Sequence, residues 1–370
     1  EPDNAKYRSA VVSSKVFIAK IHSVMGDQQT AFRLAKEVQP EIERLAGATL
    51  DDVETLKTKA WLHNLLGMIH MRLDEVEEAL AEHYAGIQVC ESILAKTPDE
   101  ADVVKRMAGC YHNSAVLCFR QRRLGEATEF SAKALEITKE LLNQGSSEDG
   151  VSLLSAVQTV RAQILFQQGR VEEALSLHQN SLANLKSLEL AAPEIPEHQE
   201  GLGKVYNSIG LILDQQGDND GARHHFERAI AVHESLHERF PDNPEYAREL
   251  IKNYGNLIGE QLESSETDAA MALAEKCVQL AHRLRERFPT NLEHVMLDGR
   301  SRCSRGDAFL AAGQTEAAEQ AHEDGCRILA GLAQAEPDVA MYQSEYASAL
   351  ADQAAFYFRQ GDPRNASELS

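Results

Sequence analysis

The sequence is poor in the residues and motifs on which most enzymes depend. It contains one Trp and only 6% aromatic residues, and its six cysteines are scattered without a CxxC pair. This spacing argues against a zinc ribbon and against a thioredoxin-type redox site. No Gly-rich phosphate loop, HExxH zinc motif, GxSxG nucleophile motif or kinase HRD or DFG motif occurs. We therefore expect no catalytic residue, no metal and no cofactor.

Basic residues and long apolar runs are also scarce. Lys and Arg number 37 against 58 Asp and Glu, which gives a formal net charge of −21. An acidic balance disfavours nucleic acid as a partner, because phosphate binding uses clusters of Lys and Arg. No run of about 18 apolar residues predicts a membrane span, and no signal peptide is visible. Isolated cysteines are typical of small buried residues in a reducing compartment, so we expect a cytoplasmic protein.

What the sequence does contain is internal repetition. The segments GRVEEAL, GDNDGAR, GQTEAAE and GDPRNAS each place Ala five residues after Gly. Following that alanine along the chain gives a ladder with steps of 48 residues, except for one step of 47. Its members are Ala31, Ala79, Ala127, Ala174, Ala222, Ala270, Ala318 and Ala366. A period of this size is the signature of a repeat array.

Proline follows the same register and marks the joints between units. It occurs at positions 2, 98, 193, 241, 289 and 337, while Leu50 and Gly145 replace it at two joints. The units implied are 2–49, 50–97, 98–144, 145–192, 193–240, 241–288, 289–336 and a partial unit, 337–370. The Gly and Ser of LNQGSSEDG (142–150) predict an irregular loop at the 47-residue step. Since a joint stands at residue 2 and the last unit is partial, we expect a fragment of a longer protein.

Each unit has the pattern of two amphipathic helices. In the fifth unit, KVYNSIGLILDQQG (204–217) carries apolar residues at helical spacing, and the stretch after Ala222 does the same. Gly marks the end of the first helix and Pro the end of the second. One helical hairpin cannot bury its own apolar face, whereas stacked neighbours can. The sequence therefore predicts an all-α array of about seven long hairpins plus a terminal helix.

This pattern resembles that of tetratricopeptide repeats over nearly the whole chain. Tyr206 and Gly210 stand at the family's first aromatic and Gly positions, and Ala222, Phe226 and Ala229 follow at the family's spacing. The resemblance implies a right-handed α-α superhelix. The family's usual period is about 34 residues, so the longer unit predicts helices of about 20 residues, or about 30 Å. A small residue recurs seven positions after the ladder alanine, at Gly86, Ala134, Ser181, Ala229, Cys277 and Gly325.

In that family the first helix of each pair lines a concave groove, and the resemblance implies which residues face it. The candidates are Trp61, Asn64, Met68, Arg72, His112, Phe119, Arg120, Lys204, Asn207 and Arg300. Trp and Arg are among the residues that most often anchor protein partners. We therefore expect a non-catalytic scaffold that binds a peptide or helix of a partner protein. The family's clamp for carboxylates is not implied, because Asn64, Asn207 and Asn256 lie one position off its pattern.

Several other interpretations stay open. His83, His178 and His322 recur four residues after the ladder alanine, where we expect packing between helices. We expect Cys110 and Cys118 to be buried thiols, and Trp61 has the alternative of packing between repeats.

The function has rivals as well. Long units of this kind resemble arrays found beside bacterial Ser/Thr protein kinases, which implies a regulatory or substrate-recruiting arm. Self-association through the ends of the array is a further alternative. A catalytic α-barrel of the sugar-hydrolase type is disfavoured by the single Trp and the strict ladder.

Overall fold

The computed structural model describes residues 5–48, 52–145 and 147–360, in which it contains fifteen helices and no strand. The chain divides near residue 205 into two compact units, Glu1–Val205 and Tyr206–Ser370. No helix in the described part of the chain combines the length and apolar character needed to cross a bilayer.

The helices of the first unit are connected by short loops. They are α1 (Ala5–Val24), α2 (Gln28–Ala48), α3 (Val53–Arg72), α4 (Val76–Leu94), α5 (Ala101–Arg120), α6 (Leu124–Gln144), α7 (Glu148–Gln167), α8 (Val171–Ala191) and the first half of α9 (Pro196–Gln215). The second unit contains the rest of α9 and six further helices. These are α10 (Asn219–Arg239), α11 (Pro244–Glu263), α12 (Thr267–Arg287), α13 (Leu292–Ala311), α14 (Thr315–Ala335) and α15 (Ala340–Arg359).

Each odd-numbered helix forms a hairpin with the even-numbered helix that follows it. Contacts join α1 to α2, α3 to α4, α5 to α6 and α7 to α8 in the first unit, and α11 to α12 and α13 to α14 in the second. Gly210 of α9 lies against the Phe226 ring of α10. With α15 as a further helix, the predicted all-α fold of seven hairpins plus one helix is confirmed.

The ladder alanines lie in the buried interior of this stack. Each of the seven within the described residues is 0% exposed and belongs to an even-numbered helix, and Ala366 lies outside those residues. The small residues seven positions further on have the same role. A Cβ added to Gly325 would lie 2.4 Å from Cys303 Sγ and 2.8 Å from Gly299 O on α13. Only small side chains therefore allow the helices to approach this closely.

A glycine precedes four of the seven described ladder alanines by five residues, and the backbone of the turn explains it. Gly26, Gly169, Gly217 and Gly313 have φ between 73° and 86° in the turn between the two helices of a hairpin. Where the turn has another residue, that residue is forced into the same left-handed region, as at Asp74, Arg122 and Ser265, with φ of 56° to 61°. Glycine adopts this conformation without a steric penalty, which explains why it recurs there.

The loop predicted within residues 142–150 is shorter than that stretch. α6 continues to Gln144 and α7 begins at Glu148, so Gly145 and Ser147 are the non-helical residues among the described part of this joint. Ser147 caps the new helix, with its hydroxyl accepting a hydrogen bond of 3.1 Å from the Gly150 N–H. Gly145 therefore follows the end of one helix, and Ser147 starts the next.

The recurring histidines are packing residues, as expected. His83, His178 and His322 are all buried, and the rings of His83 and His322 lie against Gly67 and Gly306. Neither ring nitrogen of these histidines has a hydrogen-bond partner in the described residues. Burial lowers the pKa of His83 and of His178 to about 4, so both rings are neutral near pH 7. The six cysteines are buried free thiols, which agrees with the expectation for Cys110 and Cys118.

We expect folding stability to fall as the pH drops from about 6.5 toward 4. In this range the unfolded histidines take up protons that the folded rings with lowered pKa values do not, so unfolding is favoured. His83 alone contributes at most about 3 kcal/mol to this loss. In His83→Phe, which copies the Phe226 and Gly210 contact, the urea midpoint should fall less between pH 7 and pH 5 than in the wild type. Parallel pH profiles for the two proteins would contradict the assignment.

A second prediction concerns the close contact at Gly67, where an added Cβ would lie 2.6 Å from the His83 ring. Because that ring is buried and held in place, Gly67→Ala should destabilise the protein by about 1–3 kcal/mol. Gly109→Ala is the matched control, since no atom lies within 4 Å of the added Cβ. It should be neutral or stabilising by up to about 1 kcal/mol. Urea denaturation followed by circular dichroism measures both, and equal effects would refute the contact.

Candidate partner-binding surface

The odd-numbered helices lie closer together than the even-numbered ones within each unit. In the first unit α1 contacts α3, α3 contacts α5 and α5 contacts α7, and in the second α11 contacts α13 and α13 contacts α15. No two even-numbered helices of one unit contact each other within the described residues. A stack that is tighter on one side curves toward that side, so the odd-numbered helices line the concave side of each unit.

All ten candidate residues lie on odd-numbered helices, and none of them is fully buried. Trp61, Asn64, Met68 and Arg72 follow one another along α3, and His112, Phe119 and Arg120 lie on α5. Lys204 belongs to the part of α9 in the first unit, whereas Asn207 and Arg300 belong to the second unit. Each unit thus has its own odd-helix surface, which we define as the accessible candidate positions on α3, α5 and the start of α9 in the first unit and on the rest of α9 and α13 in the second.

The two aromatic candidates are partly packed. The Trp61 ring lies 6.3 Å from the Phe17 ring of α1, measured between centroids, and packs against the core shared by α1, α2 and α3. Phe119 packs against a core that includes Cys118, Ala127 and Ile164. Each ring therefore joins neighbouring repeats while one side stays accessible. Packing between repeats, the alternative considered for Trp61, therefore applies to part of its side chain.

The two exposed arginines of the first unit, Arg72 and Arg120, differ in their contacts. Arg72 Nη1 donates a hydrogen bond to the Ser23 carbonyl at the C-terminal end of α1, so its side chain connects two repeats. Arg120 has no carboxylate partner among the described residues and leaves its guanidinium free for a ligand. A carbonyl at a helix C-terminus has no partner within the helix, and a cation there is favourable. Arg72 therefore stabilises the packing of α3 on α1.

Asparagine pairs connect successive odd-numbered helices. Asn113 Nδ2 donates a hydrogen bond of 3.2 Å to Asn64 Oδ1, which joins α5 to α3. In the second unit Asn256 Nδ2 donates a bond of 2.7 Å to Asn207 Oδ1. Both pairs are separated by 49 residues, one period plus one. The sequence analysis did not select Asn113, because the repeat position that it read out at this point is that of His112, one residue earlier. The 49-residue spacing between Asn64 and Asn113 could have indicated the pair.

His112 and Lys204 face the same part of the first unit, although they belong to different repeats. Burial lowers the pKa of His112 to about 4, and the positive charge of Lys204 contributes. His112 Nδ1 is buried without a hydrogen-bond partner in the described residues. Lys204 donates a hydrogen bond to Glu200 on its own helix. The structure thus brings together two candidates that no sequence motif connects, and His112 is neutral near pH 7.

In the second unit the odd-helix surface is more acidic. Arg300 lies 3.4 Å from Glu345 of α15 in an exposed ion pair. Burial, with a contribution from Asp352, raises the pKa of Asp307 to about 7. Arg359 opposes this shift. Asp307 therefore takes up a proton near neutral pH, whereas the first unit presents neutral and basic groups.

The chemical groups on this surface are suited to recognition. Within the described ranges, no group of three or more His, Cys, Asp and Glu side chains is placed to hold a metal ion. Burial raises the pKa of the Cys90 and Cys118 thiols to about 11, which makes both poor nucleophiles at neutral pH. The surface offers amides, arginines, a neutral histidine and partly exposed aromatic rings, which are groups that bind peptides.

Two stretches of the chain, 107–148 and 203–245, match the family model described as Tetratricopeptide repeat. These two stretches carry tetratricopeptide repeats. The first match covers most of the α5 and α6 hairpin and continues to the start of α7, and the second covers most of α9 and all of α10. No curated protein sequence matches the chain.

Solved structures with 14% identity have the same repeat fold. The Rap conjugation gene regulator of plasmid pLS20 in complex with the Phr* peptide has a TM-score of 0.57, and the match covers 98% of this chain and 93% of that one. Aspartyl phosphate phosphatase F from Bacillus subtilis has a TM-score of 0.55, with 97% and 91% covered. A signal-transduction ATPase with a tetratricopeptide repeat sensor from Pyrococcus horikoshii has a TM-score of 0.57, with 100% of this chain and 53% of that chain covered. These likenesses show that the chain shares the helical-repeat fold of the three structures.

The contrast between the two arginines leads to a prediction. Arg72→Ala should lower the unfolding free energy by about 1 kcal/mol and speed hydrogen exchange in α1, because the Ser23 carbonyl loses a charged donor. Arg120→Ala, on the equivalent exposed position of α5, should change stability by less than about 0.5 kcal/mol. Urea denaturation and exchange mass spectrometry give the two readouts. Unchanged exchange in α1 of the Arg72 variant would show that the bond contributes nothing.

Proposed function

We propose that this chain is a non-catalytic scaffold that binds an extended peptide or a helix of a partner protein along the odd-helix surface of its first unit. The observation that carries the proposal is the arrangement on α3 and α5. There Asn64, Met68 and Arg120 are accessible on the concave side of the first unit, and Arg120 has no carboxylate partner in the described residues. Binding sites are commonly concave, with apolar side chains beside a few polar groups that fix the ligand's orientation, and extended peptides and helices bind in such grooves.

The asparagine pair supports recognition of a peptide backbone. Asn64 Oδ1 accepts the amide hydrogens of Asn113, while the Asn64 side-chain nitrogen and the Asn113 side-chain oxygen have no hydrogen-bond partner in the described residues. One side-chain donor and one acceptor thus remain next to each other between α3 and α5. A peptide bond offers the complementary C=O and N–H at each residue. We expect the ligand's main chain to bind here and its side chains to contact Met68 and Arg120.

The family background agrees with this function. The Rap conjugation regulator described above was solved in complex with a peptide. At 14% identity this likeness shows the fold alone, so peptide binding by the present chain rests on its own surface. The proposed occupant is a protein segment, and nucleic acid is disfavoured by the net charge of −21.

Peptide selection from a random display library tests the proposal directly. Peptides selected on the wild-type chain should bind Met68→Glu/Arg120→Glu at least about tenfold more weakly, because an apolar contact and a cation are both replaced. The matched control is Tyr84→Glu/Lys139→Glu on α4 and α6, which changes the net charge by the same amount at exposed positions. Isothermal titration calorimetry gives the affinities, and melting temperatures of both variants show that the fold is kept.

Two outcomes would overturn the proposal. If both double variants weaken the peptides equally, binding depends on overall charge and the odd-helix surface has no special role. If Met68→Glu/Arg120→Glu binds the selected peptides as tightly as the wild type does, the site lies elsewhere on the chain. A regulatory arm of a Ser/Thr kinase stays a hypothesis. The solved ATPase carries its tetratricopeptide sensor as part of a longer chain, and the corresponding test here is whether the parent protein contains a kinase domain.

A further inference from the structure

In the second unit, side chains that are 45 residues apart meet across neighbouring odd-numbered helices. Arg248 of α11 contacts Glu293 of α13 at 2.9 Å, and Arg300 of α13 contacts Glu345 of α15 at 3.4 Å. Each contact joins a base to an acid, so the charge on one helix is matched by the charge on the next. The 45-residue spacing therefore identifies which charges face each other in this groove.

Two helical turns further along α13 and α15, the same spacing joins two acids. Asp307 follows Arg300 by seven residues and Asp352 follows Glu345 by seven, so they lie on the same helix faces as that ion pair. The charge of Asp352 acts on Asp307 and contributes to its raised pKa. Neither carboxylate forms an ion pair with Lys or Arg among the described residues. We call Asp307 and Asp352 the carboxylate pair.

A buried histidine points a ring nitrogen at this pair. His322 of α14 is 1% exposed, and its ring lies against Gly306. The Nε2 atom is 3.5 Å from Asp307 Oδ1, and neither ring nitrogen has a hydrogen-bond partner in the described part of the chain. Burial lowers the pKa of His322, so the ring is neutral near pH 7. With its proton on Nδ1, the ring offers Nε2 as a hydrogen-bond acceptor beside the carboxylate.

The position of the pair stays accessible when further helices follow it in the array. Ser304 and Asn256 stand one and two periods before Asp352. Both are followed by further helices of the unit, and both are still only partly buried. Asp307 lies on α13, between α11 and α15, and 45% of its side chain is exposed. This place therefore faces the groove because of its position in the repeat.

The charges around Asp307 leave the site acidic. From α15 come Asp352 and, two turns further on, Arg359, which lowers the pKa of Asp307 without forming an ion pair with it in the described residues. From α14 comes the neutral His322, and no described charged group of α11 or α12 contributes to the shift. Burial raises the pKa of both carboxyls, because their ionised forms lack compensation. A cation from a ligand would supply that compensation.

The arrangement suits an organic cation better than a metal ion. Within the described ranges, no three His, Cys, Asp and Glu side chains are placed to hold a metal. A guanidinium group has five N–H donors in a planar fork, which can reach acceptors on two helices at once. An ammonium group has three donors on a compact centre and covers less of such a site.

We propose that the carboxylate pair binds the cationic side chain of an Arg or Lys residue of a protein partner in the groove between α13 and α15. The N–H groups of the ligand bridge Asp307 and Asp352, and one of them donates to His322 Nε2. Arg is preferred to Lys because its fork reaches both carboxylates. The site lies in the second unit, so it does not depend on peptide binding at Met68 and Arg120.

Carbon NMR of protein labelled with ¹³C at the Asp carboxyl groups tests the site with N-acetyl-arginine amide as the probe. Asp307→Asn and Asp352→Asn assign the two signals. Both signals should shift with the probe, with a Kd on the order of 1 mM for a ligand of this size. N-acetyl-citrulline amide has a similar shape without the charge, so it should bind at least about tenfold more weakly. N-acetyl-lysine amide should lie between the two.

A double variant and a matched control separate the pair from overall charge. Asp307→Asn/Asp352→Asn should weaken the arginine probe at least about tenfold, and it should keep the fold because it removes a repulsion. Glu227→Gln/Glu238→Gln changes the net charge equally at exposed positions of α10 and should change the Kd less than about twofold. Arg359→Ala should strengthen binding, because a competing cation is removed. The NMR signals of the probe give these affinities.

The affinity should also depend on pH. The pKa of Asp307 is raised to about 7, so about a tenth of these carboxyls is ionised at pH 6 and about nine tenths at pH 8. Since the cation binds the ionised form, affinity for the arginine probe should rise up to about tenfold over this range. The pKa of Asp307 should fall when the probe is bound, for the same reason.

Four results would overturn the proposal. The first is no shift of either carboxyl signal at about 20 mM arginine probe, well above the expected Kd. The second is equal affinity for the arginine and citrulline probes, and the third is equal weakening by the double variant and its control. The fourth is binding of Ca²⁺ by the same two carboxyls at micromolar concentration, which would make the pair part of a metal site.

Discussion

The close approach of neighbouring helices at small buried residues is the constraint on which this structure depends. The ladder alanines, with Gly86 and Gly325, allow backbones and side chains to meet where a larger residue would clash. Packing of this kind is repeated once per period, so each hairpin is stabilised chiefly by the hairpin next to it. Ion pairs add to the same contact, as between Lys57 and Glu100 at 2.8 Å. They lie near the surface and contribute less than the apolar packing.

The odd-helix surface follows from the asymmetry of that packing. Within each unit odd-numbered helices contact one another, whereas the described even-numbered ones do not, so side chains on consecutive odd-numbered helices come within hydrogen-bonding distance. This is how Asn64 reaches Asn113. The two units carry different groups on this surface. The first presents neutral and basic groups, and the second contains Asp307, whose pKa is raised by burial.

The sequence by itself determined the period, the number of hairpins, the helix lengths near 20 residues and the burial of the ladder alanines and histidines. These properties depend on the spacing of residues along the chain, which can be read directly from the sequence. Only the tertiary structure decided that Arg72 binds the Ser23 carbonyl, that Trp61 packs against Phe17 and that His112 is neutral. Each of these depends on atoms about one period or more away, whose positions are set by how the repeats stack. The loop expected within 142–150 does fall at this joint, but only the structure showed that α6 reaches Gln144 and that α7 begins at Glu148.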